Sequence, residues 1–126
     1  MKALIVDDSR AIRSIIRRTL EDNGFVVVEA GHGQEALQKL EEQPDIGVLL
    51  VDWNMPVMNG LDLVRSLRRD EAHPERSRLP ILMVTTETEV RQMVRALAAG
   101  ANEYLMKPFS SEALVDKLEL LGVKAA

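Results

Sequence analysis

Residues 46–60 read IGVLLVDWNMPVMNG, and this stretch decides the fold class. The run Ile46–Val51 is apolar and β-branched-rich without alternation, which is typical of a strand buried on both faces. A helical pattern follows, with apolar residues on one face at Leu61, Val64 and Leu67. A buried strand that leads into a helix is the repeating unit of a parallel sheet with right-handed crossovers.

The same unit recurs along the chain. Four further apolar runs predict strands at Ala3–Val6, Phe25–Val28, Ile81–Val84 and Tyr104–Met106. Four further helices are predicted between these strands and after the last one, because apolar residues recur there at helical spacing. Their apolar faces consist of Ile12, Ile15, Ile16 and Leu20; Ala36, Leu37 and Leu40; Val90, Met93, Val94 and Leu97; and Leu114, Leu118 and Leu121. The sequence therefore predicts an α/β fold in which a five-stranded parallel sheet carries helices on both faces.

Turn and cap residues agree with this division. Gly24 and Gly100 follow predicted helix ends, Ser110 precedes the last helix, and Thr86 with Glu89 forms a capping box. The polar segment Asp70–Leu79 is longer than the other connections, so we expect a mobile surface loop there.

Composition narrows the class of protein. The chain has 126 residues, which is one domain, and no cysteine, which excludes disulfides and thiolate metal sites. Its apolar runs are too short to span a membrane, and the first one ends at Asp7, so no signal peptide is expected and the predicted location is cytoplasmic. A net charge of −4 and only four aromatic residues argue against direct DNA binding.

Polar residues follow four of the predicted strands. Asp7-Asp8, Asp52, Thr85-Thr86 and Lys107-Pro108 each come directly after a strand. Ligands bind at the carboxyl ends of the strands in an open parallel sheet, so these residues are expected to share one crevice. Clustered carboxylates repel one another unless a hard divalent cation joins them. A lysine and hydroxyl groups nearby would hold a dianion, which points to phosphoryl transfer.

This set of motifs resembles the receiver domain of response regulators, and within that family the single-domain, CheY-like chemotaxis type. The resemblance rests on Asp7-Asp8, DWNMPVMNG around Asp52, Thr85, and KPF at 107–109, and it covers essentially the whole chain. It implies a flavodoxin-like, doubly wound sheet of strand order 2-1-3-4-5. It also implies a receiver over residues 1–122, a short tail at 123–126 and no output domain, in a signalling phosphoprotein that is not an enzyme in the ordinary sense.

The resemblance assigns the site residue by residue. Asp52 would attack a phosphohistidine on a histidine kinase or phosphotransfer protein and become an aspartyl phosphate. Asp8, Asp52 and the backbone carbonyl of Asn54 would ligate Mg²⁺, or Mn²⁺ in its place, with Asp7 acting through water. Lys107 would bind a phosphoryl oxygen, and its bond to Pro108 is expected to be cis.

Four further positions would act in switching and lifetime. The Thr85 hydroxyl would move to the new phosphate and Tyr104 would rotate inward behind it. The family usually has Ala or Gly where this chain has Thr86, and a branched side chain there would obstruct the rotation. Asn54 and Glu87 would tune self-dephosphorylation, with a phosphoryl lifetime of seconds to minutes.

The expected readout surface is the face formed by the fourth helix, fifth strand and fifth helix, Val90 to Leu121. It carries Arg91, Arg95, Lys107 and Lys117 and would suit an acidic or amphipathic partner segment. The partners implied are a downstream protein, such as the flagellar motor switch or another motility component, and a phosphatase. A monomer without membrane contact is expected, and Trp53 would serve as a fluorescence reporter.

Three other functions remain open on the sequence. The first is a phosphorelay shuttle or a regulator outside motility. The second is an aspartyl-phosphate phosphohydrolase, but that chemistry needs an acid two residues after Asp52, where Asn54 stands. The third is a flavodoxin-like cofactor binder, whose phosphate the Asp7-Asp8 pair would repel.

Overall fold

The computed structural model describes residues 1–86 and 90–124. Within these ranges the elements are β1 (Lys2–Val6), α1 (Arg10–Asp22), β2 (Val26–Ala30), α2 (Gly33–Glu42), β3 (Ile46–Val51), α3 (Gly60–Arg68), a 3₁₀ helix (Pro74–Arg78), β4 (Ile81–Thr85), α4 (Val90–Ala99), β5 (Glu103–Met106) and α5 (Ser111–Leu120). All strands pair in parallel, in the order β2-β1-β3-β4-β5, which confirms the predicted fold class.

The strand register brings the site residues to one level. Val6 lies opposite Val51, so Asp7 and Asp52 leave neighbouring strands side by side, and the Asp52 N–H donates to the Val6 carbonyl at 2.8 Å. On the other side of β3, Thr85 at the end of β4 lies opposite Met106 at the end of β5. The backbone alone therefore gathers the carboxyl ends of β1, β3, β4 and β5 at one edge.

The core consists of two layers, one on each face of the sheet. Alternate residues of β1 point to opposite sides, as the period of a strand requires. One layer joins Leu4 and Val6 to α2, α3 and α4, and the other joins Ala3 and Ile5 to α1 and α5. Helices on both faces are confirmed, and they leave the strand ends as the place where polar groups can meet.

The predicted caps are present wherever they fall in the described ranges. Ser110 accepts a backbone hydrogen bond as the N-cap of α5, as predicted. Ser9, which was not among the predicted caps, does the same at the start of α1. Gly24 and Gly100 have φ of 88° and 121°, a left-handed conformation that glycine adopts without the steric cost of a Cβ. The capping box predicted at 86–89 includes Glu89, which lies outside the described residues.

The second strand differs from the prediction because it is an edge strand. It runs over Val26–Ala30, not Phe25–Val28, and it pairs only with β1. Val26 is exposed and Glu29 is half-buried, where its carboxylate forms ion pairs with Arg13 and Arg17. An edge strand can carry such polar and exposed residues. The run of apolar residues therefore does not show where β2 begins and ends.

The expectation of a mobile loop at Asp70–Leu79 is corrected, because the segment contains the 3₁₀ helix and is anchored by two arginines. The first anchor is Arg76, which is buried. Its guanidinium donates at 3.1 Å to Asp70 and at 3.1 Å to Glu41 on α2. These two ion pairs offset the large desolvation cost that the buried Arg76 guanidinium would carry if it were isolated.

The second anchor is Arg68, at the end of α3. Its guanidinium donates to three backbone carbonyls and one amide oxygen, those of Arg76 (2.9 Å), Leu79 (2.7 Å), Gly100 (3.0 Å) and Asn102 (2.9 Å). The side chain thus fastens the 3₁₀ helix to the connection between α4 and β5. Every residue has a backbone carbonyl, so hydrogen bonds to carbonyls leave no pattern in the sequence. The anchoring of the 3₁₀ helix by Arg68 could therefore not be predicted from the sequence.

The first residue after the predicted boundary at 122 is packed against the protein. Val123 is 6% exposed, belongs to the core layer under α1 and α5, and donates its N–H to the Leu118 carbonyl. Packing therefore continues one residue beyond the predicted boundary.

Replacing Arg68 by methionine is expected to destabilise the fold. The change keeps the aliphatic stem but leaves four acceptors without their donor, which costs about 2–3 kcal/mol of unfolding free energy. Urea denaturation measures the loss. The control is Arg18→Met on α1, because Arg18 is exposed and makes no ion pair among the described residues. Equal stability of the two variants would contradict the anchoring role of Arg68.

Candidate functional site

Three carboxylates meet at the ends of β1 and β3. Asp7, Asp8 and Asp52 each offer an oxygen that lies within 4.8 Å of the other two. Asp7 and Asp52 are 2% and 7% exposed, whereas Asp8 faces solvent. Within residues 1–86 and 90–124 no other group of three acidic or histidine side chains is arranged this closely. The predicted convergence of these acids is observed.

An ammonium group faces the acids. Lys107 Nζ lies 2.7 Å from Asp7 Oδ2 and 3.7 Å from Asp52 Oδ2. The Lys107 backbone is held by a hydrogen bond from its N–H to the Thr85 carbonyl, and the Lys107–Pro108 peptide is cis, as the resemblance implied. The side chain is nearly buried and points into the site. The prediction that Lys107 also contributes charge to the readout surface is therefore wrong.

Asp7 is held in place by its own turn. The Ser9 N–H donates to Asp7 Oδ1 at 2.8 Å, and the Arg13 guanidinium donates to the Asp7 backbone carbonyl. The sequence analysis missed both contacts. An Asp followed two residues later by a backbone donor is a recognised Asx turn, so the Ser9 contact had a local signal, whereas the Arg13 contact had none.

The electrostatics of Asp52 favour a reactive carboxylate. Burial raises the pKa of Asp52, and the charges of Asp7 and Asp8 raise it further. The Lys107 charge and a hydrogen bond with the Thr85 side chain act in the opposite direction and lower the pKa. Thr85 is fully buried, and its hydrogen bond places it beside Asp52.

The loop after Asp52 is tightly constrained at Gly60. A Cβ on Gly60 would overlap the Asp52 carbonyl oxygen, and the Gly60 N–H donates to the Trp53 carbonyl at 2.9 Å. Only glycine fits this approach of α3 to the end of β3. Between them Asn54 lies exposed at the rim of the site. Val57 has φ of 68°, an unusual conformation for a β-branched residue, and its side chain is 78% exposed.

Tyr104 lies inside the protein. It is 4% exposed and packs in the core layer that also contains Met83 and Trp53. The Tyr104 side chain could rotate inward only from a solvent-exposed position. The rotation predicted for Tyr104 therefore cannot start from the buried conformation seen here. Thr86 is exposed and Glu87 lies outside the described residues.

The predicted readout surface exposes apolar side chains. Val90, Val94 and Leu97 on α4 and Met106 on β5 are all exposed. One of its predicted cations is already paired, because Lys117 Nζ lies 2.8 Å from Glu103. The surface is therefore more apolar and less basic than the sequence indicated.

Trp53 makes a contact that the sequence did not reveal. The guanidinium carbon of Arg95 on α4 lies 6.0 Å from the centre of the Trp53 ring, within range of a cation–π interaction. Trp53 follows Asp52 directly in the chain. This contact therefore links the end of β3 to α4.

Comparison with known proteins identifies the class. The family model described as the response regulator receiver domain matches residues 3–119, so the chain belongs to this family. Chemotaxis protein CheY1 of Helicobacter pylori is 48% identical over 122 residues, covering 96% of each chain. Chemotaxis protein CheY of Pseudomonas aeruginosa is 44% identical over 120 residues, covering 94% of each chain.

Solved structures agree with this family. The chemotaxis protein CheY4 of Vibrio cholerae has a TM-score of 0.87 at 39% identity, with 95% of this chain and 97% of that chain covered. A putative response regulator of Chloroflexus aurantiacus has a TM-score of 0.87 at 32% identity, with 95% of both chains covered. The protein is thus a CheY-like receiver domain, a class of signalling proteins that bind Mg²⁺ at an acidic pocket. No helix among the described residues is long and apolar enough to cross a membrane.

Removing the Asp52 charge is expected to stabilise the metal-free protein. A raised native pKa means that the folded state binds the Asp52 proton more tightly than the unfolded state does. Stability therefore falls as pH rises from the ordinary value of 3.8 through the native pKa, and the loss persists at neutral pH. Asp52→Asn should raise the free energy of unfolding at pH 7, and this gain should shrink as pH approaches 3.8.

Denaturation in chelator-treated buffer at both pH values measures the effect. Asp116→Asn serves as control, because Asp116 is exposed on α5 and makes no ion pair among the described residues. A loss of stability for Asp52→Asn at neutral pH would show that attraction by Lys107 outweighs the cost of burial.

Proposed function

We propose that Asp52 accepts a phosphoryl group from a phosphohistidine of a histidine kinase or phosphotransfer protein, in a Mg²⁺-dependent reaction. The observation that carries this proposal is the position of the buried Asp52 carboxylate, which has Asp7 and Asp8 within 4.8 Å and Lys107 at 3.7 Å. The receiver would span residues 1–122 and switch the binding of other proteins.

The residues present fit a divalent cation. All three side chains supply carboxylate oxygens, the hard ligands that Mg²⁺ prefers, and the exposed Asp8 leaves one side open to water. Asp8 and Asp52 would hold the ion, with the Asn54 carbonyl, while Asp7 would act through water. A bound Mg²⁺, or Mn²⁺, would neutralise charge on the transferring phosphoryl group.

The chemistry assigned to the protein is positioning and charge stabilisation. A carboxylate oxygen of Asp52 attacks phosphorus, the new O–P bond forms as the P–N bond to the imidazole breaks, and the departing imidazole keeps the electron pair and takes up a proton. Lys107 would exchange its contact with Asp7 for one with a phosphoryl oxygen.

The switch would begin at Thr85, which already hydrogen-bonds the Asp52 side chain. A phosphoryl group on Asp52 would offer Thr85 a stronger acceptor and draw β4 toward the site. Tyr104, buried on the adjacent strand, would repack behind it without an inward swing. Asn54 and Glu87 would set the rate of hydrolysis, and the surface from α4 to α5 would report the change to a partner.

Chemotaxis is the pathway that the comparisons favour, because the relatives reported above are named chemotaxis proteins. The downstream partner would then be the flagellar motor switch or another motility component, with a phosphatase to end the signal. The alternative, a shuttle in a phosphorelay, would use the same site and differ only in its partners.

A direct test is phosphorylation by acetyl phosphate with Mg²⁺. Intact-mass spectrometry should show one added phosphoryl group, lost again within seconds to minutes after the donor is removed. Asp52→Asn should take up none, because the nucleophile is gone, whereas Asp116→Asn should behave as the native chain. A phosphoryl group retained by Asp52→Asn would refute the assignment of the nucleophile.

Lys107 is expected to oppose metal binding. Its ammonium contacts both buried carboxylates, so replacing it by methionine removes a competing positive charge worth about 1 kcal/mol, or roughly fivefold in the Mg²⁺ dissociation constant. Fluorescence of Trp53 during a Mg²⁺ titration measures the affinity. The control is Lys117→Met, which removes the same charge from the pair with Glu103. Weaker Mg²⁺ binding by Lys107→Met would contradict this competition.

A further inference from the structure

A cleft of about 350 Å³ between α3 and α4 is lined by three arginines. Arg65 and Arg69 come from the last turn and C-cap of α3, and Arg95 comes from α4. The rest of the lining consists of Ala98 and Ala99, whose side chains are small. No carboxylate lines this cleft within residues 1–86 and 90–124.

The three arginines of the cleft have no carboxylate partner among the described residues, a property they share with other exposed cations such as Arg18. Six other cations form ion pairs with carboxylates: Lys2, Arg13, Arg17, Arg76, Lys107 and Lys117. In the described ranges Arg65 and Arg69 have neither an ion pair nor a side-chain hydrogen bond, and Arg95 contacts only Gln92 and Trp53. The helix C-terminus nearby carries only about half a negative charge, so it does not neutralise three guanidinium groups.

We propose that this arginine cleft binds an acidic segment of a partner protein in extended conformation. Arg65 and Arg69 are one helical turn apart, roughly 6 Å. Side chains on one side of an extended peptide repeat at roughly 7 Å, so glutamates at alternate positions match this spacing. A nucleic acid is disfavoured because the chain carries a net charge of −4 and the aromatic residue beside the cleft, Trp53, is buried.

The cleft also contacts the phosphorylation site through one residue. Arg95 lines the cleft and lies over Trp53, which directly follows Asp52. A carboxylate drawn to Arg95 changes the surroundings of the indole ring. Because the chain contains one tryptophan, its fluorescence reports occupancy of this cleft.

The test uses a short synthetic peptide with glutamate at alternate positions and, as its control, the same peptide with glutamine. Titration into the unphosphorylated protein at low salt, followed by calorimetry and Trp53 fluorescence, should show binding of the glutamate peptide alone. Arg65→Glu and Arg69→Glu should each weaken binding by roughly fivefold or more, and the double variant should abolish it. Arg18→Glu on α1 changes the net charge equally and should leave the affinity unchanged.

Three results would overturn the proposal: equal binding of the glutamine peptide, no binding of the glutamate peptide, or undiminished binding by the double variant. Tighter binding of a short single-stranded oligonucleotide would overturn the assignment to an acidic peptide. Circular dichroism of each variant verifies that it is folded, and Arg69→Gln at the exposed helix end gives a second variant with less perturbation. Since the experiment uses unphosphorylated protein, its outcome is independent of phosphotransfer to Asp52.

Discussion

Like charges that would separate in solution are forced together by the strand register. Val6 and Val51 are paired in the sheet, so Asp7 and Asp52 leave it as neighbours whose carboxylates lie within reach of one cation. Their mutual repulsion and burial are relieved in part by Lys107, which the backbone of β4 holds in place. Gathering buried like charges costs free energy, and a bound cation would offset that cost.

The same arrangement explains how a local event can reach the surface. Thr85 hydrogen-bonds Asp52 from inside β4, and Tyr104 packs beside that strand on β5. On the other side of Asp52, Trp53 contacts Arg95 on α4. One set of contacts therefore leads from Asp52 to β5, and a second leads to α4, the helix that displays Val90 and Val94 to solvent. A shift of α4 would alter the apolar surface and the arginine cleft together.

Much of this was predictable because parallel strands leave a strong signal. Apolar runs ending in Asp52 or Lys107 placed the fold and the site residues, and the resemblance supplied the strand order. The missing parts depend on contacts that sequence patterns do not record. Arg68 binds backbone carbonyls, so the 3₁₀ helix looked like a mobile loop, and Tyr104 lies inward because of packing that no local rule describes. Lys107 was assigned to phosphate, but its resting contact with Asp7 emerged only from the geometry.

The most direct test of the central claim is a crystal structure of the protein with Mg²⁺ and beryllofluoride, a mimic of the phosphoryl group. We expect the mimic on an Asp52 oxygen, a metal ion among the oxygens of Asp8, Asp52 and the Asn54 carbonyl, and Lys107 moved from Asp7 to a fluorine. A mimic bound at another carboxylate, or Lys107 still paired with Asp7 while the mimic occupies Asp52, would contradict it.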